Sequence, residues 1–121
     1  MVTYVIPSKM VAEIEIQEFL DDSGRSPFAR WFDGLNAVAA ARVTLALTRL
    51  SQGNFSNVKG VGCGAYELKI SFGPGYRVYF GKSGERIVIL LGGSSKKRQS
   101  AAIIAAQEAW ADYRCRKGAK K

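Results

Sequence analysis

The sequence predicts an α+β domain with one largely antiparallel sheet of four strands. Strand-like patterns, either an alternation of apolar and polar residues or an apolar run, lie at residues 11–19, 65–72, 76–80 and 86–93. Apolar residues recur at helical spacing in residues 28–52 and 99–116. The predicted order is therefore strand, two helices, three strands and a C-terminal helix (βααβββα), and we expect the helices on one face of the sheet.

The two central helices are predicted from their boundary residues. Ser26 is expected to cap the first helix, with Pro27 at the first helical position, where its missing N–H costs nothing. The second helix is predicted over about residues 36–52, with Gly53 as its stop. Its main apolar stripe holds Val38, Ala41, Leu45 and Thr48, flanked by Val43, Leu47 and Leu50. These helices should form a hairpin that covers the sheet.

A glycine-rich segment, GNFSNVKGVGCG at residues 53–64, follows the hairpin. We predict a loop there, because so many glycines disfavour regular structure. The glycines also resemble part of a phosphate loop, but no GK[ST] follows and no helix begins there, so a nucleotide site is not expected. In contrast, the run RIVILLGG at residues 86–93 is typical of a strand covered on both faces.

The polar face of the predicted hairpin of strands carries the main candidate site. Alternation places Lys69 on one strand, and Arg77 and Tyr79 on the next, all on the face away from the helical hairpin. Cross-strand neighbours lie about 5 to 8 Å apart, so two such cations are unfavourable unless an anion lies over them. Glu67 could partly compensate, and a solvated face with incidental cations remains the alternative. Further cations are expected from loops at the ends of these strands, namely Lys59, Lys96, Lys97 and Arg98.

The charge of the chain is concentrated in its second half. The 121 residues carry a net charge of +8, with 5 cations and 6 acids up to Val58, and 13 cations and 4 acids from Lys59 onward. This bias favours a polyanionic partner. We expect residues 1–9 to be an N-terminal extension, residues 10–116 one domain, and residues 117–121 a basic tail, within an end (RCRKGAKK) that we predict to be disordered and to add non-specific RNA affinity.

Several classes of protein are disfavoured by composition. The chain has no histidine, and its two cysteines, Cys63 and Cys115, lack CxxC spacing, so neither a zinc site nor a histidine relay is expected. No metal or cofactor is predicted. The absence of an 18-residue apolar run and of a signal-peptide core predicts a soluble, cytoplasmic protein. Trp31 and Trp110 lie on apolar helix stripes and are expected in the core or in a groove for a partner protein.

Four segments of the chain, in a fixed order, carry a resemblance to a known family. They are FARWFDGL, ARVTLALTRLSQGNFSNVKGVGCGAYELKISFGPGYRVYF, VILLGGSSKKRQ and the alanine-rich helix that follows. Together they resemble the addiction-module killer proteins, a phage-derived, HigB-like branch of the RelE/ParE toxin superfamily. The resemblance covers about residues 14–113.

This resemblance implies the toxin of a type II toxin–antitoxin module. Its partner would be a helix-turn-helix antitoxin from an adjacent gene, in a complex that can sit on operator DNA. RelE-like members cut mRNA on the ribosome without a metal ion, so the resemblance implies an endoribonuclease that inhibits translation. ParE-like members instead inhibit DNA gyrase, and that target stays open here, as does a non-enzymatic nucleic-acid-binding protein.

The resemblance also implies roles for the basic residues. Lys69, Arg77 and the Lys96–Arg98 cluster occupy the positions of the catalytic cations of RelE-type nucleases. Arg77 suits transition-state stabilisation, because its planar fork holds two phosphate oxygens. Lys96 or Lys69 is expected to exchange the proton. Tyr79, with a reference pKa of about 10, is a poor base unless the cations lower that pKa, and it is otherwise expected to stack on a nucleobase. RelE places a tyrosine in its C-terminal helix, where this chain has AAIIAAQ, so the identity of the general base stays open.

Overall fold

The computed structural model describes residues 13–119, and within them the chain forms a sheet with helices on both faces. The strands are β1 (Glu15–Glu18), β2 (Val58–Gly62), β3 (Ala65–Ile70), β4 (Tyr76–Ser83) and β5 (Ile87–Ser95). The helices are α1 (Pro27–Asp33), α2 (Ala37–Ser51) and α3 (Gln99–Ala119), and a 3₁₀ turn at Lys96–Arg98 joins β5 to α3. The α+β class is confirmed, whereas the predicted extension at residues 1–9 lies outside the described residues.

The strand order is β1-β5-β4-β3-β2, with β1 parallel to β5 and every other pair antiparallel. Within residues 13–119 the sheet has five strands, so the prediction of four is wrong. The additional strand is β2, in the segment that we expected to be a loop. It pairs with β3 along the outer edge of the sheet.

Part of that glycine-rich segment forms a tight hairpin turn that connects β2 to β3. Gly62 pairs with Ala65, which leaves Cys63 and Gly64 as a two-residue turn. Both turn residues have positive φ, at 56° and 83°. This is the requirement of a type I′ turn, whose twist matches the flanking strands. Glycine is common there because it adopts positive φ without strain, so these glycines connect two paired strands.

The helices α1 and α2 begin at side-chain caps, as predicted for Ser26. Its Oγ accepts a hydrogen bond of 3.0 Å from the N–H of Ala29, and Asn36 Oδ1 accepts one of 2.9 Å from the N–H of Ala39. Both helices cover one face of the sheet, where a hydrophobic core forms. The buried members of this core are Phe28, Val43, Leu50, Leu68, Ile70, Val78, Phe80, Val88 and Leu90.

The orientation of α2 differs from the expected one. Val38 and Leu45, on the stripe taken as the main apolar one, are 60% and 44% exposed. The flanking residues Val43 and Leu50 are buried against the sheet instead. Apolar residues surround most of this helix, so periodicity alone left its rotation ambiguous.

Helix α3 lies on the opposite face of the sheet, which corrects the expectation that all helices share one face. Ala106 and Trp110 of α3 pack with Tyr79, Ile89 and Leu91 in a second buried cluster. The physical reason is that β5 is apolar on both sides and each side must be covered. The helix continues to Ala119, so the end predicted to be disordered is helical up to that residue, and residues 120–121 lie outside the described part.

Two tryptophans, one on each face of the sheet, pack against glycines of the strands. A Cβ built on Gly81 would overlap the ring of Trp110, and one built on Gly93 would overlap the ring of Trp31. Each indole therefore lies directly against the strand backbone, on opposite sides of the sheet. Trp110 is buried in the core, as predicted, whereas Trp31 is partly buried and also lines a groove.

We predict that Gly81→Ala and Gly93→Ala each lower the free energy of unfolding by about 1–3 kcal/mol, the usual cost of overpacking. The added methyl cannot be accommodated without moving a packed indole. Gly92→Ala is the matched control in β5, because a Cβ there meets nothing within 4 Å among the described residues. Urea denaturation followed by circular dichroism measures all three, and a Gly93→Ala protein as stable as Gly92→Ala would contradict the packing described.

Candidate functional site

Strands β3 and β4 bring the two central cations of the predicted site together. Lys69 and Arg77 are direct cross-strand partners in the register of this pair. Both alternate with residues of the α1/α2 core, so they occupy the face away from that hairpin, as predicted. The predicted juxtaposition of Lys69 and Arg77 is therefore confirmed.

The environment of Arg77 differs from an open, solvated surface. Its side chain is only 7% exposed. The face that we expected to be open is covered by α3, which leaves Lys69 exposed and Arg77 buried. Burying a guanidinium without compensation is costly, so its partners decide what it can do.

Glu67 is the buried carboxylate that compensates this charge. Its side chain is 1% exposed, and its Oε2 lies 3.6 Å from Nε of Arg77. The same Oε2 accepts a hydrogen bond of 2.7 Å from Nε2 of Gln99, the first residue of α3. Lys59 Nζ lies 3.8 Å from the other carboxylate oxygen but is itself well exposed. Glu67 thus links β2, β4 and α3 beneath the site.

The guanidinium of Arg77 retains unused donors. At 3.6 Å its contact with Glu67 is an ion pair but too long for a hydrogen bond. Nε and Nη1 are both buried and have no hydrogen-bond partner among residues 13–119. Buried donors are nearly always paired in folded proteins, so unpaired ones indicate a missing ligand, water or ion. Nη1 lies beside Gly75, where an added Cβ would be 3.5 Å away.

A polar pocket of about 330 Å³ lies beside this guanidinium. Its lining residues are Lys69, Ser71, Phe72, Gly73, Pro74, Gly75, Arg77 and Lys96. Three of them are cations and none is an acid. A hydrogen bond of 2.9 Å from the N–H of Lys96 to the carbonyl of Gly75 joins the two sides of the pocket. This combination suits a phosphate group.

The remaining predicted cations do not join this pocket. Lys59 belongs to β2 rather than to a loop, and it contacts Glu67. Lys97 is exposed on the 3₁₀ turn. Arg98 lines a neighbouring groove of about 540 Å³, together with Trp31 and Tyr76. The structure therefore brings together Lys69, Arg77 and Lys96 in one pocket, and the other three cations lie outside it.

Tyr79 is placed beneath the site and not on its surface. The residue is 0% exposed, and its hydroxyl lies 3.1 Å from Oγ of Ser94. Burial raises the pKa of Tyr79 above its usual value and the Glu67 carboxylate adds to this, against a smaller lowering by the Ser94 hydrogen bond. In this position Tyr79 cannot stack on a nucleobase, and a raised pKa makes it a poor base.

Sequence reasoning missed two residues of this network. Gln99 and Ser94 were not considered as contacts, and Glu67 was considered only as partial compensation for the cations. The alternation of β3 places Glu67 on the face of Lys69, which is a usable signal. Gln99 contacts a residue 32 positions earlier in the chain, and no local pattern predicts such a pair.

The described residues form neither a metal-binding cluster nor a membrane-spanning helix. Within residues 13–119 there is no cluster of three or more histidine, cysteine, aspartate or glutamate side chains placed to hold a metal ion. None of the helices in that same range has the length and apolar character needed to cross a membrane.

Comparison with known proteins shows a similarity over part of the chain and no family. No family model matches the chain. An uncharacterized protein of Haemophilus influenzae is 41% identical to it over 64 residues, which is 52% of this chain and 65% of that protein. The chain therefore aligns with somewhat less than two thirds of the length of this relative.

We predict that Tyr79 makes stability fall at high pH. Its pKa is raised in the folded state, so the neutral hydroxyl is favoured by folding. This contribution is fully present below the unfolded pKa of about 10, and is lost as the pH rises through the folded value. Urea unfolding between pH 8 and 11 should show a steeper loss in wild type than in Tyr79→Phe. Identical slopes would contradict the burial of this hydroxyl.

Proposed function

We propose that the chain is the toxin of a type II toxin–antitoxin module and that it cuts mRNA on the ribosome without a metal ion. The observation that supports this most is the buried guanidinium of Arg77, with unpaired donors, in the wall of a pocket that also holds Lys69 and Lys96. Three cations converge on one volume large enough for a phosphate group. Such convergence is useful for phosphoryl chemistry, whereas a surface that only attracts polyanions has no need of it.

The chemistry assigns a distinct task to each side chain. The 2′-oxygen of the RNA attacks phosphorus, the bond to the 5′-oxygen breaks, and the products are a 2′,3′-cyclic phosphate and a 5′-hydroxyl. Arg77 stabilises the charge that builds on the phosphoryl oxygens, because its fork donates to two of them and stays charged. Lys69 and Lys96 are the groups placed to move protons to and from the reacting oxygens.

Membership of the RelE/ParE superfamily is part of this proposal. Two of the four segments of the resemblance contain β3, β4 and β5, and these strands provide Lys69 and Arg77 and lead into Lys96. A small nuclease of this kind would depend on the ribosome to position its substrate, since one such side chain typically contributes about 10²- to 10⁴-fold. A ribosomal target also implies the cytoplasm as its location.

We predict that Arg77→Lys reduces ribosome-dependent mRNA cleavage by about 10²-fold or more, because lysine keeps the charge opposite Glu67 but loses the planar fork. Purified protein is incubated with mRNA-programmed ribosomes, and the new 5′-hydroxyl ends are mapped and counted. Arg86→Lys, at an exposed position beside β5, is the matched control and should cleave as wild type does.

Expression of the protein in cells, with mapping of mRNA ends, and a separate assay with gyrase test the proposal further. Growth arrest with intact mRNA and trapped gyrase–DNA complexes would instead support inhibition of gyrase. RNA binding with neither arrest nor cleavage would support a non-enzymatic binding protein. An Arg77→Lys protein as active as wild type would show that the fork of Arg77 is not needed for the chemistry.

The proposed module requires an antitoxin, and we predict that a small helix-turn-helix protein encoded next to this gene forms a stable complex with the chain. Two surfaces are suited to it: the cationic pocket, through Lys69 and Lys96, and the exposed apolar stripe of α2, through Val38 and Leu45. Co-expression and co-purification test the complex. Lys69→Glu with Lys96→Glu should weaken it if acidic residues cover the pocket, and Val38→Asp with Leu45→Asp if α2 is the contact. No complex on co-expression would contradict the prediction.

A further inference from the structure

Glu67 presents a physical problem for any anion-binding role of the neighbouring pocket. Its carboxylate is 1% exposed and 3.6 Å from Nε of Arg77. A fixed negative charge at this distance weakens the attraction of the pocket for phosphate. A buried ion pair is also rarely the most stable solution, since apolar residues of similar volume often serve stability as well or better. The position of Glu67 is therefore better explained by orientation than by affinity or stability.

The geometry of the guanidinium shows what Glu67 can orient. The carboxylate lies at Nε, and Nη1 is buried beside Gly75, so neither of these nitrogens is open to the pocket that Arg77 lines. The ion pair at Nε restricts rotation of the planar group about its last bonds. The part of the guanidinium that lines the pocket is then held in one orientation, which saves the entropy of ordering it when an anion binds.

Glu67 is itself held by Gln99. The amide of Gln99 donates a hydrogen bond of 2.7 Å to Oε2, the oxygen that faces Arg77. Gln99 is the first residue of α3 and follows directly on the 3₁₀ turn that carries Lys96. Lys59, in contrast, is 67% exposed and contacts the other oxygen at 3.8 Å, so it constrains the carboxylate less.

We propose that Glu67, fixed by Gln99, is a positioning residue that holds Nε of Arg77 so that the outer end of the guanidinium faces the phosphate pocket. The claim that this orientation aids cleavage rests on the proposed nuclease activity, whereas the claim that Glu67 orients Arg77 does not. Removing the charge of Glu67 should have opposite effects on cleavage and on RNA binding. Loss of orientation lowers the rate of cleavage, whereas loss of a negative charge strengthens or preserves RNA binding.

The test is Glu67→Gln, which keeps the shape of the side chain and an acceptor for Gln99 but removes the charge. We expect single-turnover cleavage on mRNA-programmed ribosomes to fall at least about tenfold, in line with the loss of a positioned group. The dissociation constant for a short single-stranded RNA, measured by fluorescence anisotropy, should stay equal or become smaller. Glu108→Gln, an exposed change of the same charge on α3, should leave the cleavage rate unchanged.

A second measurement separates this inference from the proposed function. In ¹⁵N NMR spectra rotation of the Arg77 guanidinium about its Nε–Cζ bond should be restricted in wild type and faster in Glu67→Gln, whether or not the protein cuts RNA. Equal rotation rates in both proteins would overturn the anchoring even if cleavage is confirmed. If Glu67→Gln does not fold, Gln99→Met takes its place, with smaller changes in rotation and cleavage rate and no gain in RNA affinity, because the charge of Glu67 is kept. A folded variant with faster rotation that cleaves at the wild-type rate would overturn the role in positioning.

Discussion

The need to cover both faces of one sheet determines the rest of this structure. Strand β5 is apolar on both sides, with Leu90 in one core and Leu91 in the other, so neither side can face water. The α1/α2 hairpin covers one face, and α3 must therefore cross the other. On its way α3 passes over the polar side chains of β3 and β4. A row of residues that would otherwise form a solvated surface becomes a partly enclosed site with a buried guanidinium.

Enclosure changes the electrostatics of these residues in a consistent way. Arg77 loses water and requires a carboxylate, and Glu67 in turn requires a donor, which α3 supplies through Gln99. Tyr79 lies in the same layer and is kept neutral by burial. Lys69 and Lys96 remain at the open side, where they can meet a ligand. The inner residues of the site, Arg77 and Glu67, are therefore buried and fixed, whereas the outer lysines are exposed and can move. This arrangement allows precise contacts with a ligand without blocking its access to the pocket.

Local signals in the sequence predicted much of this fold, and the failures share a cause. The cap at Ser26, the alternation of β3 and β4 and the pairing of Lys69 with Arg77 follow from local chemistry and were confirmed. The rotation of α2, the side of the sheet that α3 covers and the burial of Tyr79 depend on packing between distant segments, which periodicity does not encode. Strand β2 was missed for a different reason, because the glycines needed by its turn resemble those of a loop. For the site, sequence indicated Lys69, Arg77 and Lys96, but it also included Lys59, Lys97 and Arg98, which lie outside the pocket, and it did not indicate the carboxylate and amide that hold Arg77.

The contacts between tryptophan and glycine also constrain how this chain can change over evolutionary time. Where an indole lies directly on the strand backbone, there is no room for a side chain on the strand residue beneath it. The residues at positions 81 and 110 are therefore sterically coupled, as are those at positions 93 and 31. A larger residue at either glycine is tolerable only if the facing tryptophan becomes smaller in the same lineage. Relatives that keep this architecture should therefore show paired replacements at these positions, even where the surrounding surface has diverged. The two pairs should vary independently of each other, because they lie on opposite sides of the sheet.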